Sequence, residues 1–86
     1  MKKYYVYILR CRGNKLYVGF TSNLRKRVDN HQSGNGCIFT KNRRPIKLVY
    51  FEIFDEFMRA KSRENQIKGW RRVKKENLIK YGRPVI

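Results

Sequence analysis

Residues 3–11, Lys3-Tyr4-Tyr5-Val6-Tyr7-Ile8-Leu9-Arg10-Cys11, constrain the fold more than any other stretch. They are dense in aromatic and β-branched side chains, which favours a strand. Alternation sends Tyr5, Tyr7 and Leu9 to one face and Tyr4, Val6 and Ile8 to the other. A strand that is apolar on both faces needs cover on both sides, so it reads as the central strand of an α/β layer structure. In Arg12-Gly13-Asn14-Lys15 the Gly and Asn tolerate positive φ. The chain is expected to turn there and pair back through residues 16–20.

The stretch Leu16-Tyr17-Val18-Gly19-Phe20-Thr21-Ser22-Asn23-Leu24 then changes character. A short strand ends in a glycine, meets two hydroxyl residues and continues as a helix expected over 22–32. The hydroxyls mark the helix start, because they accept from an otherwise orphan N–H. At about 100° per residue, Arg27 and His31 fall side by side at one edge of the Leu24/Val28 stripe, while Arg25, Lys26 and Asp29 point away. A strand tyrosine, an arginine and a histidine are thus presented where the helix meets the body of the protein, an arrangement suited to a phosphate.

Ser33-Gly34-Asn35-Gly36 ends that helix. Residues 37–45 are polar and basic, with Lys41, Arg43 and Arg44 crowded before Pro45. They read either as a solvated loop or as a flap that contacts phosphates. A third strand is expected over 47–54, followed by a helix capped by Asp55 and running to about Gly69. Phe57, Ala60 and Ile67 form its apolar stripe, and Glu64 projects into that stripe. A charged side chain is rarely buried unless it is paired or bound to a metal. Glu64 therefore reads as an exposed i,i+4 pair with Lys68 or as a carboxylate placed for function; the tyrosines and Arg27 favour the second. Trp70 is expected over the core, with a last basic helix over 71–81 whose inner face carries Val73 and Leu78. Arg71 and Arg72 join Lys41, Arg43 and Arg44 as candidate nucleic-acid contacts. Gly82 closes the helix and Pro84 stops its extension.

A chain of 86 residues is expected to form one domain over 1–86. Twenty-two basic residues against six acidic ones give +16, and a polyanion is the natural counterpart: nucleic acid first, an anionic membrane second. No apolar run approaches the roughly 20 residues of a spanning helix. Met1-Lys2-Lys3 leads into an alternating strand rather than a signal peptide, so cytoplasmic residence is expected. Cys11 and Cys37 then read as reduced thiols, without the spacing of a zinc site.

Tyr5-Val6-Tyr7 followed by Tyr17-Val18-Gly19, then Arg27 and His31, resembles the signature of the GIY-YIG nuclease superfamily. Ala60, Arg63-Glu64, Ile67-Lys68 and Trp70 resemble the tail of its small single-domain members, so the likeness runs to about residue 80. Tyr5 stands where the first glycine of the name would be, and Val18 replaces isoleucine. The resemblance implies an α+β fold: a three-stranded antiparallel sheet flanked by three helices, in the order β-β-α-β-α-α. It also implies an active site of Tyr7, Tyr17, Arg27, His31 and Glu64. Tyr17 would position or deprotonate the attacking water, Tyr7 would orient the scissile phosphate, and Arg27 would hold phosphoryl oxygens. His31 would assist proton transfer or bond the phosphate, and Glu64 would bind Mg²⁺ or Mn²⁺. A tyrosine ordinarily ionises near 10, so the base role requires Arg27 and the metal to lower Tyr17. The implied activity is metal-dependent endonucleolytic hydrolysis of DNA, ahead of RNA, in repair or processing. The competing readings are a non-catalytic basic nucleic-acid-binding domain and an interaction module of a larger assembly.

Overall fold

The computed structural model describes residues 2–82. Strand β1 (Tyr4–Cys11) turns through Arg12–Asn14 into β2 (Lys15–Thr21). Gly13 and Asn14 both adopt positive φ there, 78° and 61°, as the turn requires. Helix α1 (Leu24–Ser33) follows, then a single turn α2 (Ile38–Lys41), β3 (Ile46–Phe54), α3 (Phe57–Lys68) and α4 (Arg72–Tyr81). The sheet is antiparallel throughout, in the order β2-β1-β3. β1 is therefore the central strand, and its Val6, Tyr7, Ile8 and Leu9 are fully buried.

Each face of β1 seeds its own core. Val6 and Ile8, with Val18, pack against Ala60 and Ile67 of α3 and Leu78 of α4. Tyr7, Leu9 and Cys11, with Ile46, are covered by Leu24 and Val28 of α1 and by Phe39 of α2. The register sets Tyr7 opposite Gly19 on β2 and opposite Phe51 on β3. A bulge at Ile8/Leu9 in the β1–β3 pairing places Ile8 against Tyr50 and Leu9 against Leu48.

Several boundaries differ from the sequence reading. The described residues hold four helices rather than three. The additional one, α2, lies in the stretch read as a basic loop. It is held by tertiary contacts: Phe39 packs on Tyr17 with ring centroids 5.8 Å apart, and Thr40 is fully buried. α1 begins at Leu24, capped by Asn23, whose Oδ1 accepts from the Lys26 amide at 3.1 Å. Thr21 Oγ1 instead accepts from the Asn23 amide. Asp55 does not cap α3. The Ala60 amide bonds the Glu56 carbonyl at 3.2 Å, so Glu56 is the cap residue, and its side chain makes no cap bond.

Leu78 is buried as expected, but Val73 is 67% exposed. Five residues separate them, which on a helix is about 140° of rotation, so the two cannot share one face. Phe57 is half-exposed and meets Tyr4 and Phe20 edge-on, at 5.7 and 5.2 Å between ring centroids. Gly82 ends α4 in the left-handed conformation, with its amide on the Leu78 carbonyl. Pro84 lies outside the described residues. The two α4 positions separate the accounts in chemical denaturation. Leu78→Ala is expected to cost about 2–5 kcal/mol, and Val73→Ala no more than about 0.5 kcal/mol.

Candidate active site

The site is built at the β2 edge, on the face of the sheet that α1 and α2 cover. Tyr7 starts on β1 and lies across β2 at Gly19. A Cβ at Gly19 would overlap the Tyr7 Cζ and Oη and stand 2.9 Å from its Cε1. The missing side chain is what lets this phenol reach past the neighbouring strand. The Tyr7 hydroxyl then meets His31 Nε2 at 3.0 Å, and His31 Nδ1 meets Thr40 Oγ1 at 2.7 Å. The Thr40 hydroxyl also lies 3.3 Å from the Cys37 carbonyl, to which it donates. One ordering of protons satisfies all three contacts: Tyr7 donates to Nε2, Nδ1–H donates to Thr40, and Thr40 donates to the carbonyl. Gly36 makes room for the imidazole, because a Cβ there would overlap Nδ1 and stand 2.8 Å from Cε1.

Arg27, one turn before His31 on α1, places its guanidinium beside the Tyr7 hydroxyl and within the electrostatic reach of that of Tyr17. The contact with Tyr7 is the chief reason its guanidinium is held more firmly protonated than usual. The Tyr17 ring lies 5.0 Å from His31 and 6.4 Å from Tyr7, centroid to centroid, and its hydroxyl bonds the Cys37 thiol. Burial pushes Tyr17 up to about 12, with the Cys37 bond adding to the rise and Arg27 only partly opposing it. Burial raises Tyr7 as well, against the pull of Arg27. Arg27 therefore acts in the expected direction on both tyrosines, but desolvation outweighs it.

Cys37 shows the reverse balance. Burial opposes its ionisation, but contacts with Thr40, the Tyr17 hydroxyl and the Phe39 amide hold the thiol below its usual 9.0.

Glu64 comes from α3, on the opposite face of the sheet, and its charge reaches the Tyr7 hydroxyl as the weakest of the influences raising Tyr7. Its carboxylate is buried and bonded to Lys61 at 2.8 Å and Lys68 at 3.0 Å. The pair with Lys68 read from the sequence forms, but its carboxylate is buried rather than exposed. Burial works against the Glu64 charge, and the two lysines more than compensate, leaving it below the usual carboxylate value.

The structure brings Tyr7, Tyr17, Arg27 and His31 into one cluster, with two qualifications about access. Tyr7 and His31 are both fully buried, and the His31 nitrogens are both engaged. Arg27 and Tyr17, by contrast, are partly exposed.

Of the candidate nucleic-acid contacts, Lys41, Arg44, Arg71 and Arg72 are exposed and Arg43 is partly buried. Arg43 stacks on Phe39 at 4.2 Å and donates to its carbonyl at 3.0 Å, while Arg44 donates to the Lys41 carbonyl at 3.1 Å. Arg72 bonds Glu76 at 2.9 Å and the Asn14 carbonyl. Thr40, Cys37, Gly36 and Lys61 were missed in the sequence. Thr40, Cys37 and Gly36 act through contacts between elements that no spacing announces, whereas Lys61 pairs with Glu64 three residues away on the same helix.

A small three-stranded sheet with a tyrosine–arginine–histidine cluster at one edge defines a class, and comparison with known proteins identifies it. The model of the GIY-YIG catalytic domain matches residues 3–77. The UPF0213 protein SSP2268 of Staphylococcus saprophyticus is 44% identical over 82 residues, 95% of this chain and all of that protein. The UPF0213 protein CPE1444 of Clostridium perfringens is 49% identical over 75 residues, 87% of this chain and 81% of the relative. The solution NMR structure of the UPF0213 protein BH0048 from Bacillus halodurans superposes with a TM-score of 0.61 at 36% identity, covering 91% of this chain and 83% of that one. The chain belongs to the GIY-YIG family, a family of nucleases, among its small UPF0213 members.

Two outcomes test the cluster. His31 is held below the usual imidazole value of 6.5 by burial and then by the Arg27 charge. As pH falls, the unfolded imidazole takes its proton first, so the unfolded state binds more protons beneath 6.5. Stability is then full above 6.5 and declines as pH drops through the folded value. Urea denaturation between about pH 7.5 and 5.5 should show that decline, and His31→Gln should flatten the slope. His31 is the one histidine of the chain, and the shifted carboxylates all lie below 4.5, outside this window. Separately, Gly19→Ala should cost about 1–3 kcal/mol by overpacking, and should shift the Tyr7 ring and His31 imidazole resonances in NMR spectra.

Proposed function

We propose that this chain is a divalent-metal-dependent endonuclease that hydrolyses phosphodiester bonds, in DNA ahead of RNA, in a repair or processing role. The carrying observation is the clustering of Tyr7, Tyr17 and His31 at the edge of the sheet, with the Arg27 guanidinium beside both phenols. A planar fork placed in this way suits two phosphoryl oxygens and the charge that gathers on them in the transition state. Tyr7, His31 and Thr40 form the chain of bonds that positions Arg27. Tyr17 is the phenol to orient the attacking water. Its ionisation near 12 is about five units above neutrality, so positioning is its role unless bound phosphate and cation bring it down.

Among the described residues no three carboxylates, imidazoles or thiols converge on a metal position. A divalent ion would thus have Glu64 as its protein ligand, with phosphate oxygens and water completing the shell. The donor fits in kind, being a hard carboxylate whose lysine partners have half-exposed stems. When bound, such an ion supplies charge neutralisation at the phosphoryl group and stabilises the departing oxygen. Lys41, Arg43, Arg44, Arg71 and Arg72 neutralise backbone phosphates on either side. Among the described residues no helix is long and apolar enough to cross a membrane, and cytoplasmic residence agrees with two free thiols.

A second reading, a nucleic-acid binder without turnover, draws on the lysines that occupy Glu64. Nicking of supercoiled plasmid with Mg²⁺ or Mn²⁺ decides between them. Glu64→Gln and Arg27→Ala should each slow nicking by about 10²–10³-fold, while Glu64→Gln keeps salt-sensitive binding. Metal-independent binding without nicking in the wild type would leave the second reading standing.

A further inference from the structure

Glu64 is 4% exposed, and its two oxygens are taken by different cations. Lys61 Nζ lies 2.8 Å from Oε1, and Lys68 Nζ lies 3.0 Å from Oε2. Both lysines come from α3 itself, at i−3 and i+4, so one helix face presents the whole trio. Their side chains are 45% and 50% exposed against 5% for the carboxylate, which leaves solvent-accessible cations over a buried anion. The Lys61 ammonium also stands 5.6 Å over the Phe20 ring, directly after Gly19 on β2, next to the strand position that Tyr7 crosses.

One carboxylate against two ammoniums leaves the trio with a net charge of +1. A divalent cation approaching it meets repulsion and two oxygens already bonded to cations. The ammoniums have another anion available once nucleic acid arrives, because lysine is a point charge on a flexible stem and bonds phosphate as readily as carboxylate.

We propose that Lys61 and Lys68 make cation binding at Glu64 conditional on substrate: a phosphodiester backbone draws both ammoniums off the carboxylate and thereby opens it to the metal. The inference rests on the nuclease reading of Glu64. The lysines exchange one anion for another, and no covalent bond or proton moves. Nucleic acid and divalent cation then bind with positive and reciprocal coupling, and the chain without nucleic acid holds little metal.

Free Mn²⁺ measured by electron paramagnetic resonance during titrations of the full chain tests this. The titrations are run with and without a phosphorothioate duplex, and Glu64→Gln with the duplex gives the background. Without nucleic acid, the Lys61→Met/Lys68→Met variant should bind Mn²⁺ at least about tenfold more tightly than wild type. The duplex should tighten wild type by about tenfold above background and the double variant by much less. Methionine is a good helix former, and circular dichroism checks that the variant is folded. Equal Mn²⁺ affinity in the two free proteins, or equal tightening by the duplex, overturns the proposal. If plasmid nicking is nonetheless lost in Glu64→Gln, the nuclease reading stands without the gate. If Glu64→Gln nicks like wild type, both fall.

Discussion

Tyr7 crosses its neighbouring strand because the residue opposite it has no side chain. Everything at the site follows from that close approach. The phenol starts on the most buried strand of the sheet and ends against His31 on α1. His31 in turn leans on Thr40, so the short α2 is tied to α1 through an imidazole. Two glycines, Gly19 and Gly36, provide the two gaps through which this line of bonds is threaded. Arg27 lies beside groups that are themselves fixed, the preorganisation on which its proposed hold on a phosphate depends.

Charge is distributed unevenly around that cluster. Among the described residues, Glu52 is held by Arg63, Glu64 by Lys61 and Lys68, and Glu76 by Arg10 and Arg72. The Glu76 pairs are partly exposed and contribute at most about 1 kcal/mol each. Fold stability rests on the two apolar layers around β1, where a single large-to-small change costs about 2–5 kcal/mol. The cationic surface is free to serve a partner. Under the proposed nuclease activity the weak point is Glu64, a lone carboxylate between two lysines, where the balance of cations decides what the residue can do.

How much of this was legible depended on the range of the interaction. The β1 strand, the Gly13–Asn14 turn, the α1 stripe and the Gly82 stop are local patterns, and each appears where the residues place it. Arg27 and His31 at the edge of the α1 stripe, and Glu64 within the α3 stripe, were legible from helix rotation, while the family likeness supplied the grouping of Tyr7 and Tyr17 with them. Helix α2 was not, because four residues with a threonine and two bulky apolar side chains carry no helical period. Thr40 reads as one more polar residue in a basic loop until His31 is seen beside it. Val73 was misplaced by ignoring its angle to Leu78, and the caps of α1 and α3 shifted by a residue because Asn23 and Glu56 competed with equally plausible neighbours. The rise of Tyr17 to about 12 lay beyond reach, since burial is a property of the assembled layers.

The two motifs that name the family are under unequal constraint in this chain. Tyr5, at the place of the first glycine, is paired with Thr21 and Ile53, and its ring rests 6.3 Å from Phe51 beside an open groove between α1 and β3. Sequence drift can therefore place an aromatic residue at the first position without touching the chemistry. At the second, even one methyl group collides with the phenol on which the site is built.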